Sequence, residues 1–225
     1  MNEQAKTSSG GVSSALKPAL LLTLVSLIGG SILAFTEKTT APVIAEQERI
    51  AILKSLRTIL PEDFKASGLD ENKLLSSTIT IPANDQLKTV TDTMVYRAWT
   101  DEQPAVAVFR IQTEDGYSGA ISLLIGIRFN GVVSGVRVVS HKETPGLGDL
   151  IHQDRSNWIL GFENTSLLSP VNSQWSVKKD DGAFDQFTGA TVSPRAVVGA
   201  IHRTLLYFTE HKNEIFESPL GNTHE

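Results

Sequence analysis

The 225-residue chain contains no cysteine. Disulfides, thiolate metal sites, iron–sulfur clusters held by its own side chains and cysteine nucleophiles are thereby excluded. Any redox chemistry has to come from a bound organic cofactor. Positive charge is not in excess either, since 20 Lys+Arg stand against 25 Asp+Glu for a formal net charge of −5. A nucleic-acid binder needs a basic face to displace counterions from phosphates, so that class is set aside. No internal repeat and no long low-complexity tract divides the chain.

One more absence organises the rest. No charged residue falls between Lys17 and Glu37, and the run from Pro18 to Phe35 is apolar on every face. At about 1.5 Å per residue such a helix nearly spans a hydrocarbon core of roughly 30 Å. Pro18 suits a first helical turn, and Gly29 and Gly30 are tolerated in membrane helices. A buried soluble helix would carry a polar stripe. A cleaved signal peptide would have a small-x-small site close behind its apolar core, and Val43-Ile44-Ala45 lies too far beyond Phe35. The expectation is an uncleaved single-pass anchor. Lys6 and Lys17 before it balance Lys38 and Arg49 after it, so flanking charge gives no orientation. The arrangement read here is a short cytoplasmic tail with the large domain translocated.

The expected organisation is a tail over 1–16, a transmembrane helix over 17–36, a helical stalk over 37–61, one domain over 62–217 and a disordered tail over 218–225, with the first fifteen residues disordered as well. Thr39-Thr40-Ala41-Pro42 predicts a second helix start, with that helix continuing the anchor into the domain as a stalk. Ile52, Leu53, Leu56, Ile59 and Leu60 repeat at helical spacing until Pro61. Residues 62–90 are mixed and polar, with Thr78-Ile79-Thr80-Ile81 a short strand. From Val95 the period changes to that of strands, over 105–113, 120–129 and 132–139. The last two are joined by Asn130-Gly131, the strongest short hairpin signal. Residues 149–162 read as a helix through Leu150, Ile151, Trp158 and Ile159, which makes Trp158 a core residue. Ser193-Pro194, with Ser193 as N-cap, opens a final helix through Val197, Val198, Ile201, Leu205, Leu206 and Phe208. Grouped strands with helices at either end give α+β, an antiparallel β-meander flanked by helices.

Three polar stretches are candidates for chemistry. The first is Asp185-Gln186-Phe187-Thr188-Gly189-Ala190-Thr191, at the start of the last helix. A helix N-terminus offers unpaired N–H groups and a positive dipole, a seat for phosphate, and Gly189 and Ala190 allow close approach. From the residues alone, a helix cap and a hydroxyl placed to be modified are both open readings. The second stretch is Ser140 to Asp149, a Pro-Gly turn between a strand and a helix. The third is the loop Asp115-Gly116-Tyr117-Ser118-Gly119. No ligand spacing suggests a metal. His141 has no Ser, Asp or other His placed to complete a nucleophile set, so no catalytic set is assigned.

The Asp-x-x-Thr-Gly-Ala-Thr run from Asp185 to Thr191 resembles the flavinylation motif of the FMN-binding domain found in Rnf and Na⁺-translocating NADH:quinone reductase complexes. With one anchor and one domain, the chain is more similar to G subunits of Rnf complexes than to C subunits of the quinone reductase. The resemblance implies FMN joined to Thr191 by a phosphoester. It implies a separate flavin transferase that uses FAD and Mg²⁺, with the hydroxyl attacking the pyrophosphate. Asp185, Thr188, Gly189 and Ala190 would complete the motif, Asp185 serving recognition by the transferase or polarising the hydroxyl. Glu143, Thr144 and Leu147 match a family loop against the flavin ring, and Tyr117 and Ser118 a second stretch near it. Arg195 has two readings, a partner for the tethered phosphate or a solvated charge.

The implied function is an electron relay within a membrane complex that couples ferredoxin- and NAD-linked electron flow to ion movement. It implies partner subunits carrying flavins or iron–sulfur clusters, and a bacterial inner membrane with the domain in the periplasm. The subunit would be part of a translocase and not an enzyme by itself. Two other classes stand beside this: a non-redox extracytoplasmic binding module, and a membrane-tethered hydrolase with a Ser or Thr nucleophile, which would need a base within reach of the hydroxyl.

Overall fold

The computed structural model describes residues 11–60, 77–100 and 103–217. The expected tails at 1–10 and 218–225, and most of the polar stretch between the stalk and Thr78, lie outside the described residues. The helix up to Ala51 forms one compact unit and the chain from Ile52 onward another.

Helix α1 runs unbroken from Gly11 to Ile59, with Pro18 and Pro42 inside it. It therefore starts within the stretch expected to be disordered, and the helix start expected at Thr39–Pro42 does not occur. Pro42 lacks the N–H that would bond the carbonyl one turn earlier. The hydroxyls around it bond backward instead, Thr39 Oγ1 donating to Phe35 O at 2.9 Å and Thr40 Oγ1 to Thr36 O at 2.7 Å. Such bonds keep polar side chains satisfied on a helix. The window Pro18–Pro42 has a mean hydropathy of 2.1 with none of it buried. Its 25 residues give about 37 Å of helix, enough to cross a bilayer core.

The unit from Ile52 is built on a five-stranded sheet in the order β1 (Thr78–Ile81), β2 (Thr93–Thr100), β3 (Gln103–Thr113), β4 (Ile121–Arg128) and β5 (Val133–Ser140). Every neighbouring pair is antiparallel. The runs of the central strands are nearly continuously apolar because both faces are covered. On one face Val95, Ala107, Phe109, Ile111, Leu123, Ile125 and Val136 pack with Val197, Ile201, Leu205 and Phe208 of helix α2 (Val192–Glu217). On the other, Tyr96, Ala98, Val106, Val108 and Leu124 pack with Leu56, Ile59 and Leu60 at the end of α1. Strand β2 was hidden in the sequence by Arg97 at its centre. That side chain is fully buried, its Nε donating to Ser77 O and its Nη1 to Ile215 O, each at 2.8 Å, so it joins β2 to the end of α2.

The helix expected over 149–162 is not formed. Two short 3₁₀ turns, Gly148–Ile151 and Trp158–Phe162, stand in its place. The apolar residues are not holding a helical face. Ile151 and Ile159 join the main core, and Trp158 and Phe162 enter an aromatic cluster in which Phe162 lies 4.7 Å from Phe184, and Trp158 5.3 Å from Phe187, between ring centroids. Trp158 is half-buried there, not a closed core residue.

The end of α1 docks through missing side chains. Gly126 of β4 and Gly135 of β5 are cross-strand partners, and Ile59 lies over them. A Cβ on Gly135 would stand 3.2 Å from Ile59 Cα, and one on Gly126 would run into Ile59 Cγ2 and Ser134 Oγ. Arg137, next to Val136, donates from Nη2 to Thr58 O at 3.3 Å and so satisfies a carbonyl of the last turn.

Gly126→Ala should destabilise the unit by about 1–3 kcal/mol through overpacking. That corresponds to roughly 2–4 °C of Tm per kcal/mol for a domain of this size. Gly161, whose added Cβ would meet nothing within 4 Å, supplies the control. Thermal unfolding of the detergent-solubilised protein with equal losses for Gly126→Ala and Gly161→Ala would contradict the slot.

Candidate functional site

Three loops meet at the N-terminus of α2. The first links β3 to β4 and contains Gly116, Tyr117 and Ser118. The second follows β5 and runs from His141 to Gly148. The third is the segment from Phe184 to Thr191 that leads into the helix. Between them lies a cleft of about 230 Å³ lined by Tyr117, Glu143, Thr144, Leu147, Gly148 and the stretch from Gly189 to Ser193.

Thr191 occupies the N-cap position. Its carbonyl accepts from Arg195 N at 3.1 Å, the first rung of α2. The expected cap, Ser193, lies inside the helix and is 1% exposed, so that assignment is corrected. Its hydroxyl donates to Glu143 Oε2 at 2.7 Å, because a carboxylate buried there requires donors. The N–H groups of Val192 and Ser193 fall in the first turn, where helix geometry supplies no acceptor. Pro194 removes a third donor without loss. Gly189 adopts φ +80°, the left-handed conformation in which glycine carries no steric cost.

Glu143 is 5% exposed. Besides Ser193, it accepts from Ser118 N through Oε1 at 3.1 Å. Gly148 is obligatory beside it, since a Cβ there would stand 2.6 Å from both Glu143 Oε2 and Ser193 Oγ. Leu147 and Tyr117 supply exposed apolar surface, 43% and 74% accessible. A cleft floored by Gly148, where an added Cβ would collide, with two first-turn donors and an apolar wall matches what a flavin phosphate and ring require, so the residues present fit FMN.

The structure thus brings Tyr117, Glu143, Thr144 and Leu147 together with Gly189, Ala190 and Thr191. Ser118 takes part through its backbone. Thr188 is exposed and, like Asp185, does not line the cleft. Asp185 Oδ1 pairs with Lys178 Nζ at 2.6 Å, and its carbonyl accepts from Trp158 Nε1 at 2.8 Å. Arg195 is held by Asp180 in a two-pronged pair at 2.6 and 2.8 Å. That hydrogen bond holds the Asp180 carboxyl below its ordinary range and raises the guanidinium. Sequence reasoning missed Val192 as a lining residue and the Glu143–Ser193 bond, whose members are fifty residues apart. A second cavity of about 300 Å³, lined by Trp158, Phe162, Pro170, Phe184 and Asp185, lies on the aromatic cluster.

The Ser193–Glu143 pair is a hydroxyl within reach of a carboxylate, the arrangement a hydrolase would need. Ser193 is buried, however, so the pair has the form of a structural bond. His141 is half-buried, its Nδ1 accepting from Glu143 N at 3.1 Å. Burial, then the nearby His152, pushes its pKa below the ordinary 6.5.

Two families match the chain. The RnfG N-terminal region matches residues 1–59, and the FMN-binding domain matches residues 116–206, a span that opens at the Tyr117 loop and closes within α2. Relatives named as the G subunit of an ion-translocating oxidoreductase complex align over most of their length. The one from Pseudomonas aeruginosa is 41% identical over 94% of this chain and 97% of its own. The one from Shewanella amazonensis is 39% identical over 92% and 94%, and that from Vibrio cholerae 37% over 90% and 94%.

A lowered His141 pKa means the folded chain binds fewer protons than the unfolded one between the depressed value and 6.5. Its contribution to stability is fully present above 6.5 and falls as pH drops through 6.5 toward the folded value. His202, lowered by burial, acts with the same sign. The Tm should fall as pH is lowered from above 6.5 to below it, and less steeply in His141→Asn. An equal or steeper fall in the variant would contradict the half-buried, neutral ring.

Proposed function

The chain belongs to the family of G subunits of ion-translocating oxidoreductase complexes, and from that premise we propose that it is the electron relay of such a complex, with FMN joined through its phosphate to Thr191. The observation that carries this reading is the placement of Thr191 as N-cap of α2 on the rim of a cleft that fits a flavin. Bound there, FMN supplies reversible acceptance of electrons, which the side chains of a cysteine-free chain do not offer.

The chain's own residues supply position. Val192 and Ser193 N–H groups and the positive end of α2 favour the phosphate. Leu147 and Tyr117 give the ring an apolar wall, and Thr144 a polar edge. The cleft, at about 230 Å³, is smaller than the roughly 300–1,000 Å³ of sites that enclose a ligand. A covalent bond makes dissociation irrelevant where enclosure is partial, and partial enclosure leaves an edge open to electron partners.

Attachment requires a flavin transferase with FAD and Mg²⁺. Thr191 Oγ1 bonds to the FMN-side phosphorus as the pyrophosphate P–O bond breaks. AMP leaves, and the hydroxyl proton passes to solvent or to a base on the transferase. Asp185, exposed and close in sequence to the cleft residues, is available to that enzyme. The apolar helix anchors the chain in the bacterial inner membrane with the domain in the periplasm, among the other subunits of an Rnf-type complex that couples ferredoxin- and NAD-linked electron flow to ion movement. The name shared by the relatives favours this complex over the quinone reductase, whose matching component is a C subunit.

Intact-mass spectrometry on full-length protein made together with a flavin transferase tests the assignment. Wild type and Thr188→Ala should both gain one FMN less one water, and Thr191→Ala should gain nothing. An unmodified wild type, or a modified Thr191→Ala, would remove the assignment.

A further inference from the structure

The carboxylate of Glu143 ties together the segments that build the cleft. It belongs to the loop after β5, takes the Ser118 N–H of the β3–β4 loop at 3.1 Å, and takes the Ser193 hydroxyl of α2 at 2.7 Å. Glycines stand around it where a side chain would collide: an added Cβ would lie 2.6 Å from Oε2 at Gly148 and 2.8 Å from Oε1 at Gly116. A family loop containing Glu143 suggests a direct contact with the ligand. The geometry suggests otherwise, because each oxygen already has a protein donor and the residue is 5% exposed.

We infer that Glu143 is a positioning residue that fixes these segments around the cleft and places a buried negative charge in its wall, setting the electron affinity of whatever is seated there. The inference rests on the reading of the cleft as the flavin's seat. Adding electrons to a group beside a fixed negative charge is opposed by Coulomb repulsion, and burial weakens the screening that water would provide. Glu143 therefore lowers the reduction potential. The positive end of α2 works in the opposite direction, but it is unchanged when only residue 143 is altered.

Glutamine separates charge from geometry. In Glu143→Gln the amide oxygen still accepts from Ser118 N, and the amide nitrogen donates to Ser193 Oγ, whose hydroxyl can reverse its role. Both links persist and the charge is gone. Glu143→Ala removes both links, whereas Ser193→Ala removes one and keeps the charge.

Two readouts on the full-length protein test this. Amide hydrogen exchange, measured without flavin, should be roughly tenfold faster at Ser118 N and at Arg195 N, the first bonded amide of α2, in Glu143→Ala, as expected when a link worth about 1.4 kcal/mol to local opening is lost, and close to wild type in Glu143→Gln. If Glu143→Ala does not fold, Ser193→Ala should show the faster exchange at Arg195 N alone. Spectral redox titration of the flavin-loaded protein should give Glu143→Gln a more positive midpoint than wild type. Unchanged exchange in Glu143→Ala, or in Ser193→Ala if it stands in, would overturn the positioning role. An unchanged midpoint in Glu143→Gln would overturn the charge effect. A wild type that never acquires flavin would overturn the proposed function and the charge effect with it, and the exchange result would still decide the positioning role.

Discussion

Helix α2 can bury Val197, Ile201, Leu205 and Phe208 against the sheet in only one rotation, and that rotation decides what its N-terminus presents. Turning the helix by a single residue, about 100°, would take these side chains off Phe109 and Ile125 and lift Thr191 from the cleft. Leu, Ile and Phe side chains are each worth about 1.5–3 kcal/mol when fully buried, so the core has far more weight in this choice than any bond at the site. Arg97 holds the other end of the same helix by bonding Ile215 O from β2. The N-cap is thus fixed by packing that has no part in the chemistry.

The sheet serves both of its faces, and this explains its composition. One face carries α2 and the cleft at its end; the other receives the last turn of α1 through the Gly126–Gly135 slot. Arg137 completes that second contact at the carbonyl of Thr58. The cleft is formed by loops at the margin of this layered core. Its apolar wall is partly accessible and the buried charge of Glu143 is internally bonded, as suits a cofactor held by a tether and reached by other proteins.

How much of this was legible depends on sequence distance. The hairpin at Asn130-Gly131 and the apolar runs over β3, β4 and β5 announce a meander, because strand period and turn chemistry are local. The charge-free run after Lys17 announces the long apolar helix for the same reason. Strand β2 was obscured by Arg97, whose burial depends on Ser77 and Ile215. The segment from Asp149 to Phe162 has helical spacing but is held by aromatic partners at Trp175, Phe184 and Phe187, and rings drawn from a distant segment override a weak period. At the site, the approach of Thr191 to a helix start was readable from Ser193-Pro194. The choice of Thr191 over Ser193 as cap was not, since it follows from how α2 packs on the sheet, which leaves Ser193 buried against Glu143. The assembly of Glu143, Thr144, Leu147 and Tyr117 around that threonine is tertiary, and only the resemblance to a family pointed to it.

The central claim is that one threonine at the N-cap of α2 and the cleft beside it form a single seat. The most direct test is a crystal structure of the flavin-loaded protein. The account predicts a phosphodiester on Thr191 Oγ1 over the first turn of α2, with the ring between Leu147 and Tyr117. A flavin carried on Thr188, or a ring lodged in the aromatic cavity of Trp158 and Phe184, would contradict it.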